Sequence, residues 1–163
     1  MPLIIDCYNL LHQPMPPGLA GLDEIGLCRA LERSGWARQG VTIVCDGAPK
    51  PHCPGGEPVP RVRVLYAGKA QAADPLIDQL VAADSAPRRL TVISDDRAVQ
   101  RAAKRRKAQA MGCQDFIHLL LQALAAAGQI PPVETSAQTL ATESDVVKRW
   151  AREFGLDPNA RID

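Results

Sequence analysis

Aspartate closes three apolar runs in this chain: Leu3-Ile4-Ile5-Asp6, Thr42-Ile43-Val44-Cys45-Asp46 and Leu90-Thr91-Val92-Ile93-Ser94-Asp95-Asp96. Carboxylates gathered in one crevice repel one another and raise their own pKa values unless a cation neutralises them. Their hard oxygens suit Mg2+ or Mn2+. One or two such ions can activate water and stabilise the charge that develops on a phosphodiester during in-line attack. The protein then contributes geometry rather than a covalent nucleophile. Whether the aspartates meet depends on the elements that carry them.

The three runs are near-continuous in β-branched residues, the pattern of parallel strands buried on both faces. Parallel strands share one carboxyl edge, where α/β proteins bind their ligands. Helical spacing is predicted between them, over residues 22–35, from about Asp74, over 97–107 and over 114–127. Val62, Val64 and Tyr66 alternate with Arg63 and Leu65, which predicts a strand nearer the sheet edge, and 109–111 reads as a last short strand. Pro75 suits a first helical position and makes Asp74 the predicted N-cap, at the same edge as Asp6, Asp46 and Asp95. Asp78 lies one turn further on the same helical face. Asn9 offers an amide to orient a carboxylate or a metal-bound water. Asp95 and Asp96, as neighbours in extended backbone, point opposite ways, so both need not be ligands.

At this point the residues resemble a family. Ile5-Asp6-Cys7-Tyr8-Asn9-Leu10-Leu11, Val44-Cys45-Asp46-Gly47, Tyr66-Ala67-Gly68-Lys69 through Ala73-Asp74, and Ile93-Ser94-Asp95-Asp96-Arg97 are similar, in order and spacing, to the NYN domains of the bacterial YacP group. These belong to the PIN-like nucleases, and four ordered motifs over residues 1–127 are far more specific than any one of them. The resemblance implies a PIN-like three-layer α/β/α fold with a mainly parallel sheet, and metal-dependent endonucleolytic cleavage of RNA with Mg2+ or Mn2+. It carries a metal-site and catalytic role onto Asp6, Asp46, Asp74 and Asp95 and a supporting one onto Asn9, with Asp78 and Asp96 as further candidate ligands. Some relatives act on RNA in association with the ribosome, so the ribosome is an implied partner. The family often has a second acidic residue where Pro75 stands here, and Asp78 is its candidate substitute.

Arg97, Arg101, Lys104 and Arg105 fall on one helical side, beginning directly after Asp96. Such a face can hold a phosphate backbone beside the carboxylates, although charge runs are usually solvated faces. Arg97, Arg101 and Lys104 are the nucleic-acid candidates, with Lys69 on the loop before Asp74; residues 105–107 also complement the helix dipole. His12, His52 and His118 share no metal spacing, and Asp84 and Asp115 read as surface or capping residues.

With 163 residues the chain can bury a core without disulfides or zinc, and nineteen Lys plus Arg against eighteen Asp plus Glu name no partner. Five cysteines without a C-x-x-C pair read as reduced thiols of a cytoplasmic protein. Neither a signal peptide nor a membrane span is expected. The predicted division is a nuclease domain over 1–127, a linker over 128–142, and a C-terminal helix and tail over 143–163. Thr142 to Asp145 has capping-box spacing, and Val146, Val147, Trp150 and Phe154 share a face that must dock on this domain or on a partner, a homodimer mate included. The competing function is a non-catalytic RNA- or ribosome-binding protein. Aspartyl-phosphate chemistry is disfavoured because Asp6-Cys7-Tyr8-Asn9 lacks a second acidic residue, and dinucleotide binding because no Gly-x-Gly-x-x-Gly follows the first strand.

Overall fold

A computed structural model describes residues 1–49, 59–69, 72–130 and 145–155. Strands β1 (Leu3–Asp6), β2 (Val41–Cys45), β3 (Val62–Tyr66), β4 (Thr91–Ile93) and β5 (Gln109–Met111) form one sheet in the order β3-β2-β1-β4-β5. Every pairing is parallel, with Leu3 opposite both Val41 and Thr91. The expected strands are all present, and β3 is indeed at an edge. Helices α1 (Cys7–Leu11), α2 (Glu24–Arg33), α3 (Ala73–Ala83), α4 (Arg97–Arg105), α5 (Cys113–Ala126) and α6 (Asp145–Glu153) cover its two faces.

Strand periodicity divides the core. Leu3, Ile5, Val41 and Ile43 pack with Leu10, Leu27, Leu31, Phe116 and Leu120 under α1, α2 and α5, whereas Ile4, Val44 and Val92 pack with Ile77, Val81 and Val99 under α3 and α4. The result is the α/β/α sandwich, in which the central strands are buried on both sides and so carry few polar residues.

Helix α6 settles where the final apolar face docks. Trp150 and Ala151 are buried in the main core, and the Trp36 ring lies 4.7 Å from Trp150, 4.2 Å from Phe154 and 5.2 Å from Phe116, centroid to centroid. The chain therefore fills this aromatic face itself, and a homodimer mate is not needed to cover it. Trp36 is fully buried. Residues 131–142 of the expected linker over 128–142, Thr142 to Ser144 of the capping box before α6, His52 and Cys53 lie outside the described residues. Among the described residues Cys7, Cys45 and Cys113 are free thiols, and no helix is long and apolar enough to cross a membrane.

Candidate active site

Asp6 ends β1 and caps α1, and it is only 5 % exposed. Its Oδ1 accepts the Asn9 backbone N–H at 3.4 Å and its Oδ2 accepts the Ser94 hydroxyl at 3.0 Å. Burial pushes its carboxyl up to about 6; the two hydrogen bonds oppose the rise, and the nearby charges of Asp74 and Asp46 add to it. Asp46 follows β2 and reaches across to accept the Ala73 N–H at 2.6 Å. It thereby supplies, from a distant strand, the cap that the start of α3 lacks locally.

That contact corrects the expected role of Asp74. Ala72 stands at the N-cap without a side-chain hydrogen bond, Ala73 opens the helix, and Asp74 lies inside the first turn with Pro75 after it. Pro75 still costs no backbone bond, because N–H groups in the first turn have no intrahelical acceptor. Asp74 is exposed, yet its carboxyl is raised by partial burial, then by Asp96 and by Asp46. Asp78 is also exposed and does not figure among the charges acting on Asp74.

The sheet's two-residue period explains which neighbour joins this group. Ile4 and Val92 face α3 and α4, and two-residue steps from them lead to Asp6, Ser94 and Asp96 on that side. Asp96 is the N-cap of α4, accepting from Ala98 N at 2.5 Å and Val99 N at 3.2 Å. Ser94 links it to Asp6, since the same hydroxyl oxygen accepts the Asp96 N–H at 3.1 Å.

Asp95 turns the other way, to the start of α5, where its Oδ1 accepts the Cys113 N–H at 2.9 Å. Asp115 waits beside it. A Cβ on Gly112 would lie 3.1 Å from Asp95 Oδ1 and 3.6 Å from Asp115 Oδ2, so glycine leaves the space the two carboxylates share. Burial raises the Asp115 carboxyl, with His118 opposing the rise and Asp95 adding to it. Asp115 read in sequence as an ordinary surface or capping residue. Its place in the first turn after a parallel strand was the signal, the same one that pointed to Asp74. Asn9 ties the two groups: its backbone N–H reaches Asp6, and its side-chain Oδ1 accepts from Asp95 N at 2.9 Å and from the Cys113 thiol at 3.3 Å.

Cations flank the carboxylates. Arg97, Arg101 and Lys104 are exposed on α4, whose opposite face buries Val99 and Ala103. Exposed Lys69 sits on the loop after β3, which Gly68 N draws onto Gly47 O at 2.9 Å, next to Asp46. The donor set suits Mg2+ or Mn2+, because every candidate is a hard carboxylate oxygen and the charges acting on Asp74 are other carboxylates. Among the described residues, however, no three His, Cys, Asp or Glu side chains converge as a ready-made ligand set.

Comparison with known proteins agrees with this architecture. The chain is similar to the crystal structure of Rae1 (YacP) from Bacillus subtilis, with TM-score 0.58 and 18% identity over 100% of this chain and 99% of that one. It is also similar to a tryptophan-to-leucine mutant of the same protein, with TM-score 0.59 and 15% identity over 93% and 90% of the two chains. At such identities the likeness is one of fold. No curated protein matches the sequence. The family model described as YacP-like NYN domain matches residues 3–153, which takes in α6 as well as the four motifs. The chain therefore belongs to the YacP-like NYN domain family, a nuclease-type family.

Proposed function

We propose that this protein is a metal-dependent endoribonuclease that hydrolyses RNA phosphodiesters with water. The observation that carries the reading is Asp6, a nearly buried carboxylate opposed by the charges of Asp46 and Asp74 at a sheet edge that continues into the cationic face of α4. A protein that needed these aspartates only as helix caps would gain nothing from burying one against the others. A divalent cation held by Asp6 and its neighbours supplies the positive charge that phosphodiester hydrolysis requires at the attacking water and the scissile phosphate.

Each residue of the edge then has a task. Ser94 and the Asn9 N–H fix Asp6, while the Asn9 side chain fixes the turn that carries Asp95. Asp46, Asp74 and Asp96 complete one side, and Asp95 with Asp115 the other. Arg97 and Arg101 hold the phosphates next to the scissile one, and Lys69 reaches the strand from the Asp46 side.

A second reading, an RNA-binding protein with a degenerate site, has one observation in its favour: no three ligands are pre-gathered among the described residues. One experiment separates the two. The protein and an Asp6→Asn/Asp95→Asn variant are incubated with labelled single-stranded RNA in Mn2+, Mg2+ or EDTA, with circular dichroism as the folding control. Internal cleavage that needs metal and disappears in the folded variant supports the nuclease. Metal-independent cleavage, or RNA binding without cleavage on both free RNA and translating ribosomes, refutes it.

A further inference from the structure

The opposite edge of the sheet carries the opposite charge. Arg88 and Arg89 precede β4, while Arg106 and Lys107 precede β5. The fold brings Arg149 of α6 to the same place: Gln109 donates to Arg88 O at 3.3 Å and accepts from the Arg149 guanidinium at 2.9 Å. All five cationic side chains are exposed. Two acidic side chains are described in the flanking segments. Asp84 is turned back to the Ala86 N–H at 2.7 Å, and Glu153 stands one turn beyond Arg149 on α6.

Backbone strain adds an independent sign. Lys107 occupies the left-handed region at φ 65°, just past the Arg106 cap of α4, in the position where glycine usually ends a helix. The single other non-glycine residue with positive φ among those described is Arg61, at φ 67°, before β3 on this same edge. Arg61 is held there by its guanidinium, which donates to Arg38 O at 3.1 Å, beside the outer strand farthest from β5. Lys107 keeps a cation where glycine would relax the chain.

We infer that Arg88, Arg89, Arg106, Lys107 and Arg149 form a second RNA-binding surface, which holds the phosphate backbone of structured RNA away from the carboxylate edge. The inference rests on the proposal that the substrate is RNA. Four of the five residues are arginines, whose planar fork suits paired phosphate oxygens. The exposed Arg97, Arg101 and Lys104 run along α4 between the two edges, so one continuous polyanion can engage both. A polymer uses such a track; a small anion does not.

The test is fluorescence anisotropy with a labelled RNA hairpin in EDTA, over about 50 to 200 mM salt. It compares the native protein with Arg88→Ala/Arg89→Ala/Lys107→Gly and with Asp6→Asn. Lys107→Gly on its own leaves the melting temperature equal or higher, which guards against misfolding as the cause. The triple variant is expected to bind at least roughly tenfold more weakly, with a salt slope reduced by about 0.7 to 0.9 for each phosphate no longer neutralised. It should still cut a short single strand that reaches only the carboxylate edge. Asp6→Asn should bind the hairpin as the native protein does. Equal binding by the triple variant overturns the inference while leaving the nuclease reading intact. Loss of hairpin binding without any metal-dependent cleavage by the native protein supports the surface and refutes the nuclease. Tighter binding of a polyglutamate peptide than of RNA overturns the inference in favour of an acidic protein partner.

Discussion

Replacing Asp6 by asparagine should stabilise the metal-free protein at neutral pH while abolishing the proposed activity. The native carboxyl titrates near 6 against an ordinary value of 3.8, because burial dominates over its two hydrogen bonds. A carboxylate raised on folding keeps its proton in the native state while the unfolded chain has already lost it. Stability is therefore complete below pH 4, falls between pH 4 and 6, and is lower by about 3 kcal/mol above that window. Asparagine escapes this penalty. It presents one carbonyl oxygen where the carboxylate used two, so either the Ser94 or the Asn9 donor loses its acceptor, at about 1 to 1.5 kcal/mol. The expected net gain at pH 7 is about 1.5 to 2 kcal/mol, or roughly 3 to 8 °C in melting temperature for a chain of this size. Urea unfolding of both proteins in EDTA, from pH 4 to pH 8, measures it directly. At pH 4 the penalty is nearly gone while the lost hydrogen bond remains, so the gain should reverse to a loss of about 1 kcal/mol. A variant that is equally stable or less stable at pH 7, or a difference that does not change with pH, refutes the claim that Asp6 is held at an energetic disadvantage.

Ser94→Ala removes the hydroxyl that lowers the Asp6 carboxyl and leaves Asp96 N without its acceptor. It should destabilise the protein by about 1 to 3 kcal/mol and move the acid limb of any pH–rate profile upward, and an unmoved limb would show that Ser94 does not govern Asp6. Trp150→Ala should cost about 3 to 5 kcal/mol by emptying the Trp36–Phe116–Phe154 cluster, as read by chemical denaturation. Trp150→Phe should cost much less, since the indole N–H of Trp150 has no hydrogen-bond partner among the described residues; similar losses for the two variants would contradict α6 as a packed part of the domain.

Charge placement gives the molecule its direction. Aspartates end β1 and follow β2 and β4, whereas basic residues precede β3, β4 and β5. In a parallel sheet these positions become two opposite edges, so a net charge of +1 conceals one acidic and one basic end. Formal charge summed over the chain carries none of this.

The apolar runs by themselves determined the strands, their parallel pairing and the edge at which the aspartates collect, because strands buried on both faces leave a continuous hydrophobic record and parallel ends must coincide. Helical spacing likewise located α2 to α5, and the aromatic face of α6 could be read from its period alone. Partners distant in sequence could not. Nothing near Ala73 indicates that Asp46 caps α3 from another strand, nor that the start of α5 draws Asp95 away from the group that Asp96 joins. Adjacent residues in extended backbone are equivalent until helices occupy the two faces of the sheet. The same holds for Trp36 and Trp150, and for Arg88, Gln109 and Arg149: the sequence supplies the side chains, but only packing brings them together.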